Sequence, residues 1–443
     1  MGASDKKMLE EVKHMTRRHT YRIIPALMLA ASLAACTNAS ASEKASSAAQ
    51  SSVQESVTET VQETPAAETQ TQTQTTVTES SSDMFTERDL TQTADLSNAV
   101  YYDVASNQNI EITEEGVYVL RGSAENVTVT VDAVDTAKVQ IVLDGVTITN
   151  TSAPAIYVKS ADKVFVTTTD STNTLTVTGT FTEDENVNTD AVIFSKDDLT
   201  VNGTGTLVIS STDNGITSKD DLKVTGGTIE ITCASDALEA NDSIRIADGN
   251  ITINTQEDGI HAENDEDNTV GYVYISGGTI NINAGDDAIH ATTTLTVDGG
   301  TLTLRGAECM EATQVLINDG DIDIQATDDG INAGRKSTAY SVKIEITGGN
   351  INIAMGAGDT DAIDSNGDLL ISGGTINITA QSPFDYDGTG SMTGGTVIVN
   401  GTETNTLTNQ MMGGGMMGGG QMPGEGQMPG EGQMHQGGMG PRH

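Results

Sequence analysis

The sequence predicts an all-β fold, a parallel β-helix or solenoid with coils of about 22 residues. Three observations predict it. First, an acidic cluster recurs at one place in each repeat. It reads Asp-Asn-Gly-Ile from Asp213, Ser-Asp-Ala-Leu from Ser235, Glu-Asp-Gly-Ile from Glu257 and Asp-Asp-Ala-Ile from Asp286. It returns as Asp-Asp-Gly-Ile from Asp328 and Thr-Asp-Ala-Ile from Thr360, and a degenerate copy, Ala307-Glu308-Cys309-Met310, fills the gap between Asp287 and Asp329. The second positions step by 22, 22, 29, 21, 21 and 32 residues, a regular unit with two loop insertions. Second, a glycine marker keeps the same period at Gly205, Gly227, Gly249, Gly278, Gly300, Gly320, Gly349, Gly374 and Gly395, as a turn needing positive φ would. Third, strict alternation follows each glycine, as in Thr279-Ile280-Asn281-Ile282-Asn283. That is a strand with one buried face.

A single coil of this kind cannot bury its apolar side, so coils must stack. Stacking in register predicts two inward ladders. One is Ile216, Leu238, Ile260, Ile289, Ile331 and Ile363; the other is Ile229, Ile251, Ile280, Leu302, Ile322, Ile351 and Ile376. A propeller needs blades of about 40 residues, which this period does not give. Cys233 and Cys309 lie about three coils apart, roughly 14 Å at a strand spacing of about 4.8 Å. A disulfide brings Cα atoms within about 7 Å, so two buried thiols are expected and no bridge.

The elements follow in chain order. Residues 1–36 read as a lipoprotein signal peptide: Lys6, Lys7, Lys13, Arg17, Arg18 and Arg22 precede an apolar run ending Leu33-Ala34-Ala35-Cys36. That ending matches the bacterial lipobox, so Cys36 is the expected lipidation site and the expected address is the outer face of the cell membrane. Residues 37–82, almost all Ser, Thr, Ala, Gln and Glu, are expected to be a disordered tether. Residues 83–135 are expected to form an N-terminal cap and first irregular coils, and residues 136–402 the β-helix. Residues 403–443 are expected to be a disordered tail, Gly-, Pro- and Met-rich with half of the chain's 16 methionines. The thin cap after Gly395 leaves a strand edge open to end-to-end self-association.

The chain carries 63 acidic and 21 basic residues, a net charge of −42, and no Trp. No basic patch exists to displace counterions from a phosphate backbone, so nucleic acid is excluded as a partner. The acids themselves must be reconciled, because neighbouring coils bring like charges close enough to raise each other's pKa. Extended geometry through Asp286-Asp287-Ala288-Ile289-His290 would point Asp286, Ala288 and His290 outward. The pattern is acid, small residue, second ligand, and it repeats as Glu257-Gly259-His261, Asp328-Gly330-Asn332 and Ser235-Ala237-Glu239. Hard oxygen donors in this density suit Ca2+, which an extracellular protein meets in abundance. The candidate metal ligands are Asp213, Asp236, Glu257, Asp258, Asp286, Asp287, Asp328, Asp329, Asp359, Asp361 and Asp364. The competing expectation is that second-position aspartates only cap turns through backbone amides. Glu239, His261, His290, Asn332, Arg335 and Lys336 are candidate ligand-binding residues. His261 and His290 share a column, but Zn2+ asks for three or four convergent ligands.

Four runs stand out: Gly116-Val117-Tyr118-Val119-Leu120-Arg121-Gly122, Val139 to Ile148, Ala155-Ile156-Tyr157-Val158-Lys159, and Asp359-Thr360-Asp361-Ala362-Ile363-Asp364-Ser365-Asn366-Gly367-Asp368. With these runs the chain resembles the clostridial carbohydrate-binding lipoprotein family. The resemblance covers about residues 90–402. It implies a right-handed parallel β-helix loaded with calcium, related in shape to pectate lyases, that binds plant cell-wall polysaccharide, including acidic pectic polymers. The copy at Ala307 departs from the acidic pattern and is not expected to hold metal. With no Trp for sugar stacking, Tyr272, Tyr274, Tyr340 and Tyr386 are limited platforms. An anionic polymer would be repelled by this chain unless Ca2+ bridged the carboxylates, so calcium-dependent uronate binding is the expected function. A calcium-assisted lyase is the alternative, with Arg305, Arg335, Lys336 or Lys343 as base. A non-catalytic adhesin or spacer that binds a protein is the third.

Overall fold

Strands form where alternation is strictest, and they stack because each exposes a row of apolar side chains on one side only. The computed structural model describes residues 84–182, 187–356 and 360–409, all within the second of the chain's two units, residues 76–443. Every regular element among the described residues is a β-strand. One coil consists of Leu238–Ala240, Ser243–Ile246 and Asn250–Asn254; the next consists of Ile260–Ala262, Tyr272–Ile275 and Thr279–Asn283. Each strand pairs in parallel with its counterpart one coil away. The solenoid therefore has three faces, called first, second and third in the order of these strands.

Both predicted inward ladders are present. On the third face Ile229 pairs with Ile251, and the series continues through Ile280, Leu302, Ile322 and Ile351 to Ile376. On the first face Ile216, Leu238, Ile260 and Ile289 are in register, as are Met310, Ile331, Ile363 and Phe384. All are at most 1% exposed. The degenerate copy thus supplies Met310 where other coils place isoleucine. The turn between second and third faces uses glycine with positive φ, as at Gly278 (φ 92°). In the coil of Thr206–Ser210, Gly203 (φ 123°) takes that role and not Gly205. A side chain at Gly205 is excluded for another reason, since its Cβ would lie 1.8 Å from the Thr169 carbonyl oxygen. Cys233 and Cys309 are buried free thiols, which burial pushes up to about 11 and about 12.

Both ends differ from expectation. Parallel pairing begins well before residue 136, through Val100–Asp103, Ile110–Ile112, Gly116–Glu125 and Val129–Asp132, and the irregularity expected there takes the form of register shifts between Leu120 and Gly122 and between Val131 and Asp132. Residues 84–92 form a strap across the outside of the second face instead of a cap. Arg88 lies over the Phe165 ring at 4.4 Å, Phe85 lies against Tyr274, and Gln92 bonds Thr225 and Gly203. The centre of the strap is Asp89, fully buried. Its carboxylate is 2.7 Å from Lys163 Nζ and accepts from Thr200 Oγ1 at 3.0 Å. At the other end Thr402–Thr404 folds back antiparallel on Thr396–Val399, and Asn409 Nδ2 donates to the Tyr386 carbonyl. That hairpin pairs the last strand of the third face, while Ser382–Tyr386 and Gly390–Met392 end the other two faces with no further strand among the described residues. Residues 1–83 and 410–443, which include Cys36, the tether and most of the tail, lie outside the described residues, as do residues 183–186 and 357–359.

The two inserted loops dock on each other. Asn268 Nδ2 donates to Thr338 Oγ1 at 2.8 Å, Ser337 Oγ to the Asn268 carbonyl at 2.6 Å and Tyr340 OH to the Thr269 carbonyl at 3.1 Å. The loops span the coils between them, where Thr313 Oγ1 accepts the amides of Lys336 and Ser337.

Asp89 gives a direct check. Burial disfavours its charge, but the Lys163 ammonium and the Thr86 amide outweigh that and hold the carboxyl at about 2. Its contribution is present above the ordinary carboxylate range and is lost as pH falls from about 4 to about 2. Asp89→Ala leaves the buried Lys163 with only the more distant Asp198, 3.9 Å away, so unfolding free energy at pH 7 should drop by about 3 kcal/mol. Urea melts of the wild type and variant at pH 7 and pH 2.5 measure this, and the difference between them should shrink at the lower pH.

Candidate functional site

The first face projects a continuous outward column. Thr217, Glu239, His261 and His290 are register partners, then Glu311, Asn332, Asp364 and Asp385. Beside it runs the row of second-position residues at the corner. There the carboxylates of Asp236, Asp258 and Asp329 each turn Oδ1 to the backbone amide of the equivalent residue one coil on, at 2.9–3.0 Å, and Asn214 Oδ1 does the same for Asp236. The turn-capping expectation is thus met in altered form: the amide belongs to the next coil. One oxygen of each carboxylate clips the stack together while the other faces the column.

This arrangement corrects the outward set read from the sequence. Extended geometry begins at Ile260, Ile289 and Ile331 in three coils and at the second position in Asn214–Ser218 and Asp361–Ser365, and in none of these does it reach the first-position residue. The small residues are fully buried at Ala237, Ala288 and Ala362. A Cβ on Gly259 would come within 2.6 Å of the Ala288 carbonyl oxygen. They are small because the corner packs against the next coil, and they leave no hollow. Second-position acids therefore meet the column. First-position acids lie one step back: Glu257 accepts from Ser235 Oγ at 2.5 Å, and Asp213 and Asp328 are half-buried while Asp286 is exposed. Asp359 lies outside the described residues.

The column divides into two stretches by how its charge is met. In the first, basic side chains are interleaved. His261 Nδ1 is 2.7 Å from Asp258 Oδ2 and 3.3 Å from Asp236 Oδ2, and its Nε2 is 3.3 Å from Glu263. His290 Nδ1 is 3.2 Å from Asp287 and 2.8 Å from Glu311. The two rings are 4.8 Å apart. Burial disfavours the imidazolium forms, yet the carboxylates outweigh it, holding His261 protonated well above its usual range and His290 up to about 9. Lys219 reaches Glu239 at 3.1 Å and Lys336 reaches Glu311 at 2.6 Å. The inserted loop delivers Lys336, whose ammonium is held in its charged form against burial by Glu311. That is the opposite of what a catalytic base requires. Arg335 is exposed. The carboxylates at the degenerate copy, Glu308 and Glu311, gather with Asp287 within 4.8 Å. The acidic pattern therefore continues through that copy, contrary to the expectation drawn from Ala307, because Glu308 and Glu311 align with Asp287 and His290.

In the second stretch the neighbours are oxygens. Burial, then the charges of Asp329, Asp385, Asp361 and Asp387, push Asp364 up to about 7. On either side of Asp364 in the column, Asn332 Oδ1 and Asp385 Oδ1 are buried without a hydrogen-bond partner. The Asn332 amide nitrogen is turned the other way, to Glu308 and Glu311. Orphaned buried oxygens around a carboxylate that cannot easily ionise fit a hard, multiply charged cation such as Ca2+. Asn332, Asp329, Asp361, Asp364 and Asp385 are the residues that would hold it. Asp385 and Asp387 were missed from sequence because their coil reads Ser382-Pro383-Phe384-Asp385, without the acidic signature at the corner. The tyrosines are structural: Tyr274 OH donates to Asp298, Tyr386 OH to the Leu407 carbonyl, and Tyr272 lies beneath Arg245.

A model of the carbohydrate-binding domain-containing protein family matches residues 106–359. A curated protein of that description from Acetivibrio thermocellus is 39% identical over 130 residues, 28% of this chain and 46% of the relative. The chain thus matches about half the length of that relative. A solved structure described as a polysaccharide lyase-like protein from C. thermocellum, in a gadolinium derivative, is 33% identical. It covers 51% of this chain and 93% of its own, with a TM-score of 0.43.

The crowded carboxylates and the histidines act on stability in the same direction. Asp364, raised to about 7, penalises the fold as pH rises from about 4 to about 7. His290, raised to about 9, contributes stability below its unfolded value that is lost as pH climbs from about 6.5 to 9. The cation-free protein should therefore melt at a higher temperature at pH 5 than at pH 8.5. Asp364→Asn should recover about 2 kcal/mol at pH 8, after allowance for its partial exposure. Thermal melts in EDTA across that range measure both.

Proposed function

The chain belongs to the carbohydrate-binding domain-containing protein family, and we propose that it is a lipid-anchored surface protein that binds an acidic polysaccharide with the help of Ca2+. The observation that carries this reading is the second stretch of the column. Asp364 is crowded by carboxylates, with unpartnered buried oxygens on Asn332 and Asp385 beside it. Ca2+ there would replace protons with a cation and relieve the repulsion between coils. It would also turn a surface that repels polyanions into one that receives them, by bridging protein carboxylates to sugar carboxylates. Anchoring through Cys36 would place the solenoid at the outer surface, where calcium is plentiful.

Binding without catalysis is the favoured form of this proposal. A lyase needs an unprotonated base near the calcium, and two candidates are committed to ion pairs, Lys336 with Glu311 at 2.6 Å and Lys343 with Glu345 at 2.7 Å.

Polygalacturonate immobilised on a column should retain the protein in millimolar Ca2+, and EDTA should release it. The ultraviolet absorbance of unsaturated uronate ends should stay flat. A rising absorbance would move the protein to the lyases. Absence of retention in both buffers would discard the uronate reading in favour of a protein ligand.

A further inference from the structure

Around the corner from the acidic column, an open groove crosses the junction of the third and first faces. Its floor is formed by residues with little or no side chain: Ala284, Gly285, Gly306, Ala307, Ala326 and Gly356. Close stacking demands this. A Cβ on Gly285 would lie 2.2 Å from the Gln256 carbonyl oxygen, and one on Gly306 would lie 2.6 Å from that of Asp286. The groove has a volume of about 570 Å³ and continues onto the third face as a second of about 310 Å³. Arg305, Gln325 and Ala354 line both. Asn283, Arg305, Gln325, Ala354 and Thr379 are successive register partners. Four steps of about 4.8 Å make a trough on the order of 19 Å long, running along the solenoid axis. That shape fits a chain more readily than a small molecule.

The chemistry of the walls is also specific. Thr303, Asp323, Asn352 and Asn377 line the third-face part; Asp323, its one acid, accepts from Asn352 Nδ2 at 3.0 Å, and hydroxyls and amides both donate and accept, as sugar hydroxyls require. Arg305 is the only Lys or Arg on the third-face strands among the described residues. Its Nε donates to Gln325 Oε1 at 3.1 Å, and it makes no ion pair among the described residues, in a chain of net charge −42. Arginine presents a planar fork that grips a carboxylate through two parallel hydrogen bonds. Gln325 fixes one side of that fork and leaves the terminal nitrogens to the groove.

We propose that this groove is a subsite for a uronate-bearing polysaccharide, with Arg305 binding a sugar carboxylate without the mediation of calcium. The proposal rests on the carbohydrate-binding reading above and adds a second, calcium-free contact to the same polymer. Arg305 is exposed, so its replacement should not disturb folding, and a thermal melt verifies this. The test uses the full chain with polygalacturonate as probe in affinity electrophoresis at saturating Ca2+. Arg305→Ala should weaken retention about tenfold, the value of a lost charge-assisted hydrogen-bonded contact. Arg305→Lys should fall between the two, and Ca2+ uptake should be unchanged in both. Ala354→Trp, which fills the trough from an exposed position, should weaken binding without touching charge. Wild-type retention with both Arg305→Ala and Ala354→Trp unaffected would overturn the groove and leave calcium-mediated binding standing. Failure of the wild type to bind any polysaccharide would overturn the carbohydrate reading, and the groove with it.

Discussion

In-register stacking is the constraint on which everything else in this molecule depends. When coils repeat every 22 residues or so, each residue lies about 4.8 Å from its own kind one coil away. For isoleucine this is favourable, and the ladders from Ile229 to Ile376 and from Ile216 to Ile289 form a dry core. For carboxylate it is not: two unit charges about 5 Å apart at an effective dielectric near 20 repel by about 3 kcal/mol. The same register that builds the core therefore builds a charged column that needs counter-charge.

The corner chemistry eases part of that cost. Each clipped carboxylate gives one oxygen to an amide of the next coil, so the acids help to hold the register that crowds them. What remains is met in two ways. Along the stretch from Glu239 to Glu311, His261, His290, Lys219 and Lys336 are built in as counterions. Around Asp364 the nearest charged neighbours are further carboxylates. The first stretch is neutralised only in part, since burial and neighbouring carboxylates still push Asp287 up to about 7 and Glu308 up to about 9, while the second has no basic side chain beside Asp364 among the causes that shift it. The solenoid thus carries a column segment with interleaved basic side chains, a segment of crowded carboxylates and, around the corner, a trough with one arginine and one aspartate in its lining, Arg305 and Asp323.

The fold was legible because period and alternation are direct consequences of stacking. The glycine row from Gly227 onward, the inward ladders and the buried thiols could all be read from spacing alone. The strap was not legible. Phe85, Arg88 and Asp89 fall in the segment expected to cap the solenoid's end, and only the long-range contacts with Tyr274, Phe165, Lys163 and Thr200 show that they cross a face instead. At the site, the column positions of Glu239, His261, His290, Asn332 and Asp364 were legible from the repeat. The side on which the acids lie was not, because the corner breaks the period of two that the reading extended through Asp286 and Ala288. Glu308 was legible in the degenerate copy, but the missing first acid at Ala307 kept it and Glu311 from being read as part of the charged column.

Locating the cation tests the account most directly. Crystals grown in Ca2+ and measured at a long wavelength should show anomalous density among Asn332, Asp364 and Asp385, and none between His261 and His290. An empty Asp364 cluster, or density at the histidine pair alone, would contradict the division of the column on which this account rests.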